Sequence, residues 1–316
     1  LSFYTNREDT IAKQDMTVEL SRINLKEFRR ILPYMPDMEG WIGAEAHYID
    51  SGPYMMVSSD LRIDEFKYEG SALGNWELGG VYLPGEAKDH HLDAYIRHDG
   101  EEIAHLGGIY LPAEEGTGSL SADIAFEHFP LNVANPFVPD RMVELDGDID
   151  GTLSMKGDPA KPLLNGELAL DSVTFFMPEM SAMFRFDNEP VQVVNSKMMF
   201  KEFDIFTKGK TPFTINGEVD FSDLERTAVN LKMHAENYEL LNAPRTKRAM
   251  VYGKMYVDFN ATLRGPVEEL VMRGNMNILG KTNVTYVLKD SPLTVNDRLG
   301  AVSYTHLRAH ETGAYL

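Results

Sequence analysis

The chain has no cysteine and only two tryptophans among its 316 residues. Without cysteine there is no disulfide, no thiolate nucleophile and no thiolate metal site, a condition compatible with an envelope compartment. Basic residues are also in short supply: 30 Lys and Arg stand against 49 Asp and Glu, a formal net charge of −19. That balance argues against nucleic acid as a partner, because phosphates need Lys or Arg to neutralise them. It equally disfavours polybasic docking on anionic lipid headgroups, but leaves apolar acyl chains open as ligands. No apolar run approaches the roughly 18 residues of a membrane span. The sequence starts at Leu1 in mid-pattern, without a leader, so we expect a fragment whose anchor lies outside it. Motifs of catalysis are missing as well: no G-x-S-x-G, no P-loop, no H-E-x-x-H and no G-x-G-x-x-G after a strand. The expectation is a non-enzymatic protein without a cofactor or metal.

What is present is repetition. A module opens at Gly40, Gly147 and Gly253, with spacings of 107 (147 − 40) and 106 (253 − 147) residues. Met38, Leu145 and Val251 stand two residues before these glycines. Even offsets after them are apolar or small: Ile42, Ala44, Ala46 and Tyr48; Ile149, Gly151, Leu153 and Met155; Met255, Val257, Phe259 and Ala261. Odd offsets are mostly polar, with Trp41 the clearest exception. A two-residue period of this length reads as a half-buried β-strand. The modules close on Gly52-Pro53, Gly157-Asp158-Pro159 and Gly265-Pro266, all turn signals.

The same alternation runs through 164–171, 229–236 and 272–278 and continues at Val284, Tyr286 and Leu288. A shorter echo, Gly79-Gly80-Val81-Tyr82-Leu83-Pro84, recurs as Gly107-Gly108-Ile109-Tyr110-Leu111-Pro112. The best helix candidate is 24–32, with Asn24 as its cap and Pro33 as its stop. Leu131–Pro136 and Tyr238–Pro244 precede the other two modules and are expected to form similar plugs. At roughly 12 residues per strand and turn, residues 1–301 would hold about 20–25 strands.

Three features invite chemistry. Asp146-Gly147-Asp148-Ile149-Asp150-Gly151 matches the start of a calcium loop, but its twelfth position is Gly157 where a bidentate Glu is needed. An acidic outer strand face is the simpler reading. His91, His98 and His105 fall at seven-residue intervals, but the turn signal Asp99-Gly100 divides them across a hairpin, which favours solvent-facing histidines over a metal site. The 17 methionines weigh more: Met155, Met255 and Met276 lie on apolar strand faces, and methionine suits surfaces that accept varied apolar partners.

Leu145 to Leu153, running on through Gly157-Asp158-Pro159 and Pro162 to Gly166-Glu167-Leu168, resembles the repeat of the TamB (translocation and assembly module) family within the AsmA-like superfamily. Gly253 to Gly274 resembles it too, and Thr285 to Leu293 is similar to a segment of the C-terminal part of such proteins. The resemblance covers most of 1–300 and is best over 129–298. It implies an all-β fold: an elongated, curled antiparallel sheet, the β-taco or solenoid-like groove, with a few short helical plugs. It further implies an inner-membrane-anchored protein crossing the periplasm of a Gram-negative cell, concerned with phospholipid transport to the outer membrane and with assembly of outer-membrane proteins beside a BamA-like partner. Residues 302–312 look like the translation of a transposase sequencing adapter, so 302–316 are set apart from the groove domain of 1–301, and the native chain is expected to continue beyond Gly300.

Two functions follow as expectations. The first is a lipid conduit whose groove shields acyl chains, with Leu153, Met155, Leu168, Leu170, Met255, Val257, Phe259, Leu263, Met276 and Ile278 as groove residues. The second is a scaffold for outer-membrane β-barrel assembly, acting through its sheet edge.

Overall fold

The computed structural model describes residues 2–5, 14–32, 34–50, 55–85, 89–113, 117–138, 141–223, 226–245 and 251–287. Gly52-Pro53, Pro33, Leu288 and the segment set apart at 302–316 lie outside them. Among the described residues the alternating pattern is realised as an all-β fold, eighteen strands joined by antiparallel pairing. They are β1 (Ser2–Thr5), β2 (Gln14–Asn24), β3 (Met38–Asp50), β4 (Met55–Tyr68), β5 (Ser71–Pro84), β6 (His90–His98), β7 (Glu101–Leu111), β8 (Ser119–Pro130) and β9 (Glu144–Gly157). The rest are β10 (Leu163–Met177), β11 (Ala182–Phe186), β12 (Val191–Val194), β13 (Lys197–Phe206), β14 (Phe213–Asp220), β15 (Ala228–Ala243), β16 (Val251–Pro266), β17 (Val271–Ile278) and β18 (Asn283–Tyr286).

Tight hairpins carry the meander. Glu69-Gly70, Asp99-Gly100 and Asn195-Ser196 join β4 to β5, β6 to β7 and β12 to β13, and all six residues have positive φ. That geometry matches the right-handed twist of the flanking strands. Helix is confined to short turns. Leu25–Glu27 and Phe28–Ile31 form the expected plug, whose first turn is closed by Asn24 Oδ1 accepting from the Lys26 N–H at 2.9 Å. Leu131–Phe137 is a 3-10 segment, as expected. Tyr238–Pro244 is not a plug: Tyr238 to Ala243 form the end of β15. Among the described residues the strands number eighteen and run longer than expected, β15 and β16 each having 16 residues.

The module glycines start long strands for a steric reason. Gly40 (φ 128°) lies where a Cβ would come within 2.7 Å of the Asp64 carbonyl oxygen on β4. Gly253 (φ 115°) meets β18 in the same way, at the Asn283 carbonyl. Only glycine permits both the backbone conformation and the close approach.

A second device recurs within the strands. Ile63 and Phe66 on β4 face Trp76 and Gly74, so the two residues between them, Asp64 and Glu65, are matched by Asn75 alone on the next strand. Phe126 and Phe129 against Gly151 and Ile149, and Ala235 and Tyr238 against Phe259 and Val257, repeat the arrangement. Each is a one-residue β-bulge. The extra residues Glu65, His128 and Asn237 have φ of 53°, 48° and 51°. In each case the N–H donates to a side chain on the following strand: Glu65 to Asn75 Oδ1 (2.9 Å), His128 to Asp150 Oδ1 (2.8 Å) and Asn237 to Asp258 Oδ1 (2.7 Å). Glu202, with φ 50° on β13, donates likewise to Asn216 Oδ1 on β14 at 2.8 Å. A left-handed non-glycine residue costs about 1–2 kcal/mol, which one such hydrogen bond offsets.

The chain divides into two compact units. The first comprises Leu1–Pro136, Asp148–Asp171 and Pro190–Met198; the second comprises Phe137–Gly147, Ser172–Glu189 and Met199–Leu316. The first contains the consecutive meander β1 to β8 and most of β9. The second is built around β14, β15 and β16, where β11 approaches β15 without pairing with it. Its core centres on Tyr238, Leu241 and Val257, which are 1%, 0% and 2% exposed.

Candidate functional site

In the first unit the registers place apolar side chains in rows that cross the strands. One row runs Val18, Ala46, Ser59, Gly80, Ala94, Leu106, Ile124, Leu153, from β2 to β9. A parallel row runs Met16, Tyr48, Val57, Tyr82, Leu92, Gly108, Ala122, Met155. Directly paired side chains share a face, so these rows form one apolar surface. Ala104, Ala122 and Leu153 are buried at its β7–β9 end, while Val18 and Leu78 remain exposed toward β2 and β5.

The opposite face is polar and tied together. Tyr95 on β6 lies against Gly79, and its hydroxyl reaches Glu77 at 2.9 Å and Asp60 at 3.3 Å. Arg97 meets Glu77 at 3.0 Å, and Arg62 meets Asp60 at 2.8 Å. The Glu77 hydrogen bond, with burial, pushes the Tyr95 hydroxyl up to about 12, and the same bond holds the Glu77 carboxyl below its ordinary value. Strands β9, β10 and β12 form a depression of about 660 Å³ between Asp150, Thr152, Asn165, Glu167 and Gln192. Its carboxylates are engaged, Asp150 by the His128 N–H and Glu167 by the Gln192 amide.

The groove residues expected from the sequence fall on the apolar faces. Leu153 and Met155 pair with Ile124 and Ala122. Leu168 pairs with Val191, and Gly166 beside it lies against Leu153. Leu170 is half-buried further along β10. In the second unit, Met255, Val257, Phe259 and Leu263 face Leu241, Tyr238, Ala235 and Leu231 on β15. On their other side Val257, Phe259 and Leu263 face Ile278, Met276 and Met272 of β17. Val257 is core rather than accessible surface, packed with Tyr238 and Ala235 and flanked by Phe213, Met255 and Phe259. Met272, Met276 and Ile278, by contrast, remain 57%, 53% and 47% exposed.

The sequence-derived set omits the contribution of β2 to β8 to the first unit's rows. Leu92, Leu106 and Ile124 carry the same two-residue period and were open to the same reading. The histidines at seven-residue spacing do not converge. Seven is odd, so along β6 His91 and His98 point to opposite faces. His98 binds the Leu73 carbonyl at 3.0 Å, while His105 faces Asp93 and Glu102 at 3.3 and 3.0 Å. Among the described residues no group of three or more His, Asp or Glu is placed to hold a metal ion. The three aspartates of the calcium-like segment lie along β9, with Asp150 committed to the bulge at His128.

Glu239 is buried on the polar side of the second unit. It accepts from the Tyr256 hydroxyl at 2.7 Å and the Asn242 amide at 2.6 Å. That bond to Glu239 raises the Tyr256 hydroxyl above its ordinary value. Lys281 stands 3.9 Å from the centre of the Tyr256 ring. No helix among the described residues is long and apolar enough to cross a membrane. No family model matches the chain, and neither a curated protein nor a solved structure does.

Proposed function

We propose that this protein is a non-enzymatic carrier surface for lipid acyl chains, serving phospholipid passage across the periplasm of a Gram-negative envelope. The single observation that carries the reading is the continuous apolar rows from β2 to β9, half-open along much of their length and backed by a tied polar face. At about 4.8 Å per strand, eight strands in register give a row on the order of 34 Å. Each methylene buried on such a surface gains about 0.8 kcal/mol, independent of headgroup. Methionine at Met155, Met255 and Met276 suits chains of varied length and saturation. The repeat residues resembling the TamB family point the same way.

The test is mass spectrometry of lipids co-eluting with the purified chain, wild type against Met155→Arg and Phe259→Arg. Phospholipid should accompany the wild type and fall several-fold in each variant. Unchanged lipid in variants with native circular dichroism would sink the reading.

One observation favours a second role, as a scaffold for outer-membrane β-barrel assembly with a BamA-like partner. Among the described residues β17 pairs with β16 alone, and its apolar side chains are exposed, an arrangement suited to accepting an added strand. Cysteines placed at Asn275 and Asn277 should then crosslink to nascent barrel proteins in cells. Recovery of lipid with no such crosslinks would leave only the carrier role.

A further inference from the structure

The echo of Gly-Gly-Val/Ile-Tyr-Leu-Pro lies on β5 and β7, the two neighbours of β6. Its second glycine falls in an apolar row, Gly80 opposite Ala94 and Gly108 opposite Ala122. Two residues further on, Tyr82 and Tyr110 occupy the same face and flank His90 at the start of β6. The ring centroids are 5.1 Å apart for Tyr82 and His90, and 5.9 Å for His90 and Tyr110. The Tyr82 hydroxyl and His90 Nδ1 are hydrogen-bonded, and the Tyr110 hydroxyl donates to the Thr117 carbonyl at 2.8 Å. The repeated motif thus builds a Tyr–His–Tyr cluster at the strand ends, on the margin of the row Tyr82, Leu92, Gly108, Ala122.

Burial, with Tyr110 nearby, pushes the Tyr82 hydroxyl up and keeps it protonated, and we assign it as the donor to Nδ1. A neutral imidazole that accepts at Nδ1 carries its proton on Nε2. No described residue meets that nitrogen. His98, on the same face at the other end of β6, differs: its Nε2 and the Trp76 indole N–H both turn to the Leu73 carbonyl, at 3.0 and 2.8 Å. The margin at His90 therefore presents an N–H that no described residue meets, next to the half-buried Leu92 and Gly108 of the apolar row.

We propose that Tyr82, His90 and Tyr110 form a headgroup contact for a phosphate-bearing amphiphile, with His90 Nε2–H donating to a phosphoryl oxygen while an acyl chain lies along Leu92 and Gly108. The inference rests on the acyl-chain reading above and adds the headgroup chemistry to it.

The test compares calorimetric binding of dioctanoylphosphatidylethanolamine and of dioctanoylglycerol, which has the same chains without the phosphate, to the delipidated full chain. Wild type should prefer the phospholipid by about tenfold, the order of one hydrogen bond to a charged acceptor. His90→Phe should abolish the preference and leave dioctanoylglycerol binding intact. His90→Gln, which keeps an N–H donor, should retain part of the preference, and His98→Phe should retain it in full. A preference unchanged in His90→Phe, or lost equally in His90→Gln and His98→Phe, overturns the headgroup contact while leaving the acyl-chain reading in place. Displacement of the phospholipid by millimolar inorganic phosphate would overturn the amphiphile in favour of the free anion. Binding of neither amphiphile would instead remove the acyl-chain reading itself.

Discussion

The two units take one sequence pattern to different ends. In the first, alternation yields rows rich in small residues: Ala46, Ser59, Gly80 and Ala94 are successive members of one of them. In the second, the strand face carries aromatic rings: Phe213 lies 5.7 Å from Tyr238 and 5.5 Å from Phe259, packed around the buried Ala235 and Val257. A period of two fixes which face is apolar; side-chain volume along the row decides whether that face closes into a core or stays open.

The largest expected effect sets the two units directly against each other. Leu241→Ala should destabilise by about 2–5 kcal/mol, because the site is fully buried and cannot collapse. Leu78→Ala, on the open face of the first unit, should cost no more than about 1 kcal/mol of transfer energy. Urea denaturation of both variants measures the contrast, and equal losses would break it. Gly253→Ala comes next, at about 1–3 kcal/mol, since the methyl group meets the Asn283 carbonyl in a left-handed backbone. Asp150→Ala and Asp258→Ala remove the acceptor from one bulge in each unit and should each cost about 1–2 kcal/mol, while Asp→Asn at the same sites should be nearly neutral. A loss confined to one unit would show that the bulges do different work in the two.

The smallest effect is at Tyr95. Its folded value of about 12 stands above the ordinary 10, so its contribution is whole below pH 10 and is lost as pH rises through about 12. Tyr95→Phe should lose that small contribution at pH 7 and flatten the stability curve between pH 10 and about 12, as urea denaturation at several pH values would measure. Tyr238 titrates still higher because of burial. Absorbance titration should therefore show the first unit's tyrosine ionising before the second unit's.

Strand character was legible because alternation is a local property of side-chain order. The misread plug at Tyr238–Pro244 shows where legibility ends. Register shifts between Ala235 and Tyr238, and between Glu239 and Leu241, break the period within β15, so Tyr238, Leu240 and Leu241 no longer look alternating. More and shorter strands were expected because a general length of about 12 residues per strand and turn was applied, whereas β15 and β16 each run to 16 residues. Trp41, the exception on the polar side of its strand, has its ring 5.1 Å from the Arg22 guanidinium, a contact no spacing rule reveals. The groove residues were found by face, but which of them are accessible depended on neighbouring strands: Val257 is sealed by Tyr238, while Met276 on the next strand is open.

The side-chain acceptors at the bulges have a consequence in time. At Glu65, His128, Glu202 and Asn237 the residue that satisfies the bulge is supplied by the next strand, 10 to 22 positions later in the chain. Each strand of this kind is therefore a latch whose catch is synthesised after it. A chain emerging from its N-terminus can lock hairpin by hairpin, each addition finishing its predecessor, so the sheet grows in one direction and at any moment leaves only its newest strand unfastened.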